Sequence, residues 1–178
     1  MPLLEHLHMP RLSQIGIYVK DMEASIRQYE EVFGIGPWLI LEGETDYCLD
    51  RGKEVTVRGR IGMGYTGKIQ LELIQILGGS NFYLDTLGGR EEGLHHLGFE
   101  VDNLEERLQA CREAGINILQ RGTLKQLGMT IDYAYLDTLD SVGVMLEFIQ
   151  SRFLGLKARQ WPGMLKLLAR IQKRFGFP

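Results

Sequence analysis

The sequence predicts an α+β fold: two paired βαβββ modules closing into a half-barrel with helices outside, followed by a C-terminal helical extension. Three observations predict it. One phrase is written twice, as "LSQIGIYV" at 12–19 and "LHHLGFEV" at 94–101. Each copy is followed by an amphipathic helical run and then by three strand-like stretches. The closing strands echo too, since "LELIQ" at 71–75 and "LEFIQ" at 146–150 differ at one position.

The first module spans 11–76. Ile15, Ile17 and Val19 alternate with Gln14, Gly16 and Tyr18, the period of a strand. Asp21 is placed to cap a helix in which Met22, Ile26, Tyr29 and Val32 recur at helical spacing until Gly34. "PWLILEGE", "EVTVRGRIGM" and "KIQLELIQI" then read as strands. A linker at 77–92, holding "GGSNFYLDTLGGREE", is expected to contain a short helix.

The second module spans 93–150. Leu97, Phe99 and Val101 alternate with His96, Gly98 and Glu100. Asn103 is the expected N-cap, with Glu106 placed to complete a capping box. Leu104, Leu108 and Cys111 line the helix, which Gly115 ends, and "INILQRGT", "TIDYAYLD" and "VGVMLEFIQ" follow as strands. One such unit leaves a sheet face uncovered, so the two are expected to share a core as one domain over 1–150.

Residues 151–178 form a basic tail. "WPGMLKLLARIQKRFGF" reads as an amphipathic helix with Pro162 in its first turn. Met164, Leu168, Ile171 and Phe175 line one face, and Lys166, Arg170 and Lys173 the other. The favoured role is packing on the body or on a second subunit. CoA phosphates or an anionic membrane surface are alternatives, membrane contact being the less favoured.

At 44% hydrophobic and 24% charged residues, the chain has the composition of a soluble globular protein. No apolar run is long enough to span a bilayer, and "MPLLEHLHMPRL" does not read as a signal peptide. Cys48 and Cys111 fit no metal or redox spacing, so a reduced, cytoplasmic setting is expected. His6 and His8 precede the first strand, where a flexible or tag-like role is expected. The tail holds seven Lys or Arg and no acid, leaving thirteen basic against twenty-three acidic residues in 1–150, a balance of −10. An acidic body argues against nucleic-acid binding.

Alternation puts Gln14 and His96 on the inner face of the opening strands, and Glu72 and Glu147 at matching positions on the closing ones. Gln70, Ile74, Met145 and Ile149 share those sides. Buried carboxylates are costly when unpaired, and a divalent cation compensates them. One nitrogen and three oxygens suit nickel, cobalt, manganese or zinc. The absence of a cysteine set argues against a closed structural zinc site. His95 points the other way and reads as structural. Tyr18, Trp38 and Tyr65 are cleft candidates without an assigned role.

"QIGIYVKDMEASIRQYEEVFGIGPW", "KIQLELIQ", "LHHLGFEVDNLEE" and "VMLEFIQ" together resemble the vicinal oxygen chelate superfamily over about residues 11–150. This is the group of glyoxalase I, methylmalonyl-CoA epimerase, extradiol dioxygenases and fosfomycin or bleomycin resistance proteins. "GLHHLGFEVD" with "LELIQ" most resembles the epimerase-like branch. The resemblance implies metal ligands at Gln14, Glu72, His96 and Glu147, with small-molecule substrates and a homodimer. It implies chemistry at a carbon beside a carbonyl, Glu147 serving as general base and Glu72 returning the proton. The expected function is therefore a metal-dependent epimerase or isomerase, an acyl-CoA being the leading substrate. A glyoxalase I-like lyase acting on a thiol adduct is the second reading, and a non-catalytic binding or resistance protein the third. Three departures from the family pattern bear on the choice. Epimerases usually have His where Gln14 stands, the third-strand stretch has no acid after Glu54, and Ile76 replaces the Asn of glyoxalase I.

Overall fold

The computed structural model describes residues 9–159 and 161–176; His6 and His8 lie outside them. In chain order the elements begin β1 (Gln14–Tyr18), α1 (Met22–Phe33), β2 (Leu39–Glu44), β3 (Tyr47–Asp50), β4 (Lys53–Glu54), β5 (Val57–Thr66) and β6 (Ile69–Gly79). Then come α2 (Phe82–Asp85), β7 (Gly93–Glu100), α3 (Leu104–Glu113), β8 (Ile118–Gln126) and β9 (Met129–Leu136). The last are α4 (Leu139–Val142), β10 (Met145–Phe153), β11 (Leu156–Ala158) and α5 (Pro162–Phe175). The class is α+β, and both predicted module helices form where the caps put them. Asp21 accepts from the Ala24 amide, and Asn103 accepts from that of Glu106. Gly34, at φ 64°, supplies the left-handed turn that ends α1.

The chain divides into two compact units. The first holds 14–44, 57–95 and the tail from Trp161, with strand order β2-β5-β6-β1. Its outer core packs Met22, Ile35 and Trp38 against Val19, Leu71 and Leu73. A Cβ on Gly64 would lie 2.9 Å from the Trp38 ring, so only glycine admits that close approach. Trp38 thus belongs to the core on the helix side of this sheet. The opposite face of the same sheet carries Leu39, Met63 and Tyr65, and here α5 packs through Leu165 and Ala169. Burying a leucine in this way contributes roughly 1.5–3 kcal/mol. Gln172 adds a two-point latch: its Oε1 accepts from Ile40 N at 2.8 Å and its Nε2 donates to Ile40 O at 2.5 Å.

The tail therefore packs on its own chain, with Leu168 of the expected face against the sheet but the contact centred on Leu165 and Ala169. Leu165 and Ala169 are buried, while Met164, Ile171 and Phe175 stay exposed. The helix is apolar around a wide arc, and the sheet takes only one side of it.

The second unit holds 45–56 and 96–159 together with the segment leading to Ser13. Its strands run β7-β10-β9-β8-β3-β4, with β11 on the far end of β10. Leu104, Leu108 and Cys111 of α3 pack on Ala134, Leu136, Leu146 and Phe148. The β3–β4 ribbon was not anticipated. It is written inside the first repeat, yet β3 pairs with β8, Cys48 opposite Gly122. Among the described residues no helix is long and apolar enough to cross a membrane.

Candidate metal centre

The duplication seen in the sequence is a duplication of register. In the first unit β1 and β6 run parallel, with Gln14 beside Gln70 and Gly16 beside Glu72. In the second unit β7 and β10 run parallel, with His96 beside Met145 and Gly98 beside Glu147. Gln14 and His96 are thus equivalent positions, as are Glu72 and Glu147. Alternation along each strand puts both members of a half-site on one sheet face.

In the second unit His96 and Glu147 come together. Both are buried, and His96 Nε2 lies 3.1 Å from Glu147 Oε2. That carboxylate oxygen has no hydrogen-bond partner among the described residues, so the approach is close without the alignment of a donated proton. Two neighbouring ligand atoms of one cation, each about 2.1 Å from it, stand about 3 Å apart at a right angle. The distance fits that arrangement, and a buried carboxylate oxygen without a donor fits a cation better than an apolar core. The Tyr135 ring, opposite Glu147 on β9, lies 5.0 Å from the imidazole and walls this half-site.

The first unit carries a different arrangement at the equivalent positions. Gln14 Nε2 donates to Gln70 Oε1 at 2.6 Å, and Gln70 Nε2 donates to the Tyr65 hydroxyl at 3.0 Å. The Gln14 nitrogen is thereby committed to Gln70. Glu72 is half-buried two residues beyond Gln70, directly across from Met63. Tyr65 and Gln70 thus set the amide that the sequence marks as a ligand position. Gln70 was legible as sharing the face, but its bond to Tyr65 was not.

His95 behaves as expected of a structural histidine. Its Nε2 pairs with Thr86 Oγ1 at 2.8 Å, and its ring packs on Phe82 and Tyr83. Tyr18 receives a hydrogen bond from Asn81 and stacks on Tyr83. Cys48 and Cys111 are buried free thiols. Burial pushes the Cys48 thiol up, and it pushes that of Cys111 to about 11. Both are therefore protonated at neutral pH and serve as packing.

The family described as Glyoxalase/Bleomycin resistance protein/Dioxygenase superfamily matches residues 13–135. No curated protein matches the chain in sequence. A hypothetical protein from Bacillus halodurans is similar in structure, with TM-score 0.57 and 23% identity over 85% of this chain and 96% of its own. Methylmalonyl-CoA epimerase from Mycobacterium tuberculosis has TM-score 0.56 and 21% identity, covering 81% of this chain and 93% of its own. The Streptomyces coelicolor epimerase, solved with 2-nitronate-propionyl-CoA, has TM-score 0.53 and 18% identity over 85% and 99%. These likenesses identify the fold.

Proposed function

From the premise that the chain belongs to the glyoxalase/bleomycin resistance protein/dioxygenase superfamily, we propose that it is a metal-dependent enzyme moving a proton at a carbon beside a carbonyl. An acyl-CoA thioester is its leading substrate class. The observation carrying this reading is the close approach of buried His96 and Glu147, where Glu147 Oε2 has no hydrogen-bond partner among the described residues. Gln14 and Glu72, equivalent to these residues in register, complete the proposed ligand set. The donor chemistry supports it, because Glu72, His96 and Glu147 each offer one ligand atom and Gln14 adds an amide oxygen. Nickel, cobalt, manganese and zinc all accept such donors.

A divalent cation bound there would polarise the substrate's oxygens and acidify the neighbouring C–H. The chain's own residues supply the rest. Glu147 accepts the proton once its carboxylate has swung away from that position, and Glu72 returns it. Gln70 and Tyr65 fix the orientation of the Gln14 amide. Tyr135 and the apolar residues around it keep water from the base.

The similarity to methylmalonyl-CoA epimerases makes methylmalonyl-CoA the first substrate to try. The test is proton NMR in D2O on protein loaded with cobalt, with a chelated control. Metal-dependent entry of deuterium at the α-carbon is expected. Its absence from folded, metal-loaded protein would defeat the thioester reading and turn the search to thiol adducts. The lyase reading is favoured by Gln14 and Glu72, whose combination with His96 and Glu147 resembles some glyoxalase I enzymes.

A further inference from the structure

Docking uses only part of α5. At 3.6 residues per turn the helix divides into three sectors. Leu165, Leu168 and Ala169 pack on the sheet, and Gln172 beside them reaches the Ile40 backbone. Lys166, Arg170, Lys173 and Arg174 make a second sector. Met164, Leu167, Ile171 and Phe175 make the third, and these four are 39–62% exposed. Trp161, at the N-cap position just before Pro162, is 71% exposed. Single apolar residues scattered on a surface need no explanation, but a continuous stripe at helical spacing does. The sheet takes the first sector and leaves this stripe in the open.

We propose that α5 is a surface anchor that lays this stripe into an anionic lipid bilayer. The charge beside the stripe selects that partner. Residues 151–178 hold seven Lys or Arg and no acid, and four of these cations stand on α5 itself. The Arg174 guanidinium lies over the Phe175 ring, 5.6 Å from its centroid, so the basic and apolar sectors meet edge to edge. At a bilayer, the stripe enters the acyl boundary while the long Lys and Arg side chains reach the headgroup phosphates. Each such cation near an anionic surface strengthens binding roughly fivefold. A second copy of the helix fits worse, because packing stripe on stripe would bring two basic sectors together. With 14 residues α5 is about 21 Å long, too short to cross a hydrocarbon core of about 30 Å. It therefore lies in the surface plane, still latched to β2 by Gln172. Attachment of this kind needs neither metal nor substrate.

The test is sedimentation of the full chain with vesicles of phosphatidylcholine, alone or with about 30% phosphatidylserine. Binding to the anionic vesicles should exceed that to neutral ones at least about tenfold, and should weaken from about 0.1 to 0.5 M salt. Trp161 emission should shift to the blue on binding, the buried Trp38 giving a constant background. Lys166→Gln, Arg170→Gln and Arg174→Gln together should weaken anionic-vesicle binding about a hundredfold. Leu167→Gln with Ile171→Gln should weaken it at least about tenfold. All five positions lie outside the docked sector, so melting temperatures should stay within about 2 °C of wild type. If the apolar pair loosens the helix, the charge set still decides, since it leaves every apolar side chain in place. No binding to anionic vesicles, or binding that both sets of substitutions leave unchanged, would overturn the proposal. So would an oligomer, formed without vesicles, that Leu167→Gln with Ile171→Gln converts to monomers, because the stripe would then cover a second copy.

Discussion

Glu147 Oε2 stands 3.1 Å from His96 Nε2, both side chains are buried, and no hydrogen bond from the described residues satisfies the oxygen. In the absence of a cation this costs stability, and a bound cation offsets it. Glu147→Gln should therefore have two opposite effects. Proton exchange at the substrate should fall at least about a hundredfold. Melting of the metal-free protein should stay level or rise by a few degrees, since an uncompensated carboxylate is removed. Near-normal turnover would remove Glu147 as the base. A large drop in melting temperature would show its role to be structural.

Metal should stabilise the folded chain through His96. Cobalt at a hundred times its dissociation constant contributes about 2.7 kcal/mol, visible as a higher urea midpoint that a chelator reverses. His96→Ala should lose most of that increment. An unchanged increment would place the metal elsewhere.

Tyr65 acts on the site through Gln70, which accepts from Gln14. Tyr65→Phe frees the Gln70 amide to turn, and cobalt affinity should drop about tenfold. The effect should disappear in a Gln14→His background, because an imidazole does not depend on Gln70 to present its ligand atom. Cobalt titration by visible absorption reads both. Equal losses in the two backgrounds would reduce Tyr65 to a packing residue.

Cys111 titrates at about 11 in the fold, raised from 9.0 by burial. Below pH 9 the thiol is neutral whether the chain is folded or not, so its full contribution is present there. Between pH 9 and 11 the unfolded thiol ionises and the folded one does not, so stability falls by about 2 kcal/mol. Cys48, shifted in the same direction, adds to the loss. Urea midpoints at pH 8 and pH 11 should therefore converge less in wild type than in Cys111→Ala. Identical slopes would mean that Cys111 ionises freely in the fold.

Ala169 is 1% exposed beneath α5. Ala169→Glu forces a charge and extra volume into that contact, costing about 3 kcal/mol or detaching the helix. Hydrogen exchange should then rise in α5 and around Met63 and Tyr65, while α3 keeps its protection. Protection retained throughout α5 would mean that other contacts dock it.

The repeat was legible because each half is local. Alternation fixed which side of β1 and β7 Gln14 and His96 take, and the caps at Asp21 and Asn103 marked the helices. What escaped depends on distant partners. Tyr47–Asp50 is too short to show a period, and its ladder partners lie 70 to 76 residues away. The apolar arc of α5 is wider than the contact it makes, so Leu165 and Ala169 could not be separated from Met164 and Ile171 by spacing alone.

The Gln172 latch has a consequence beyond docking. β2 ends the strand order of the first unit, and the outer edge of such a strand carries backbone groups without a ladder partner. An exposed edge of that kind invites pairing with another chain. At Ile40 both backbone groups are taken by one side-chain amide, which imitates a neighbouring strand for a single residue. The C-terminal helix thus serves as a guard against sheet extension, and a chain shortened before Trp161 would offer a free edge on which aggregates can grow.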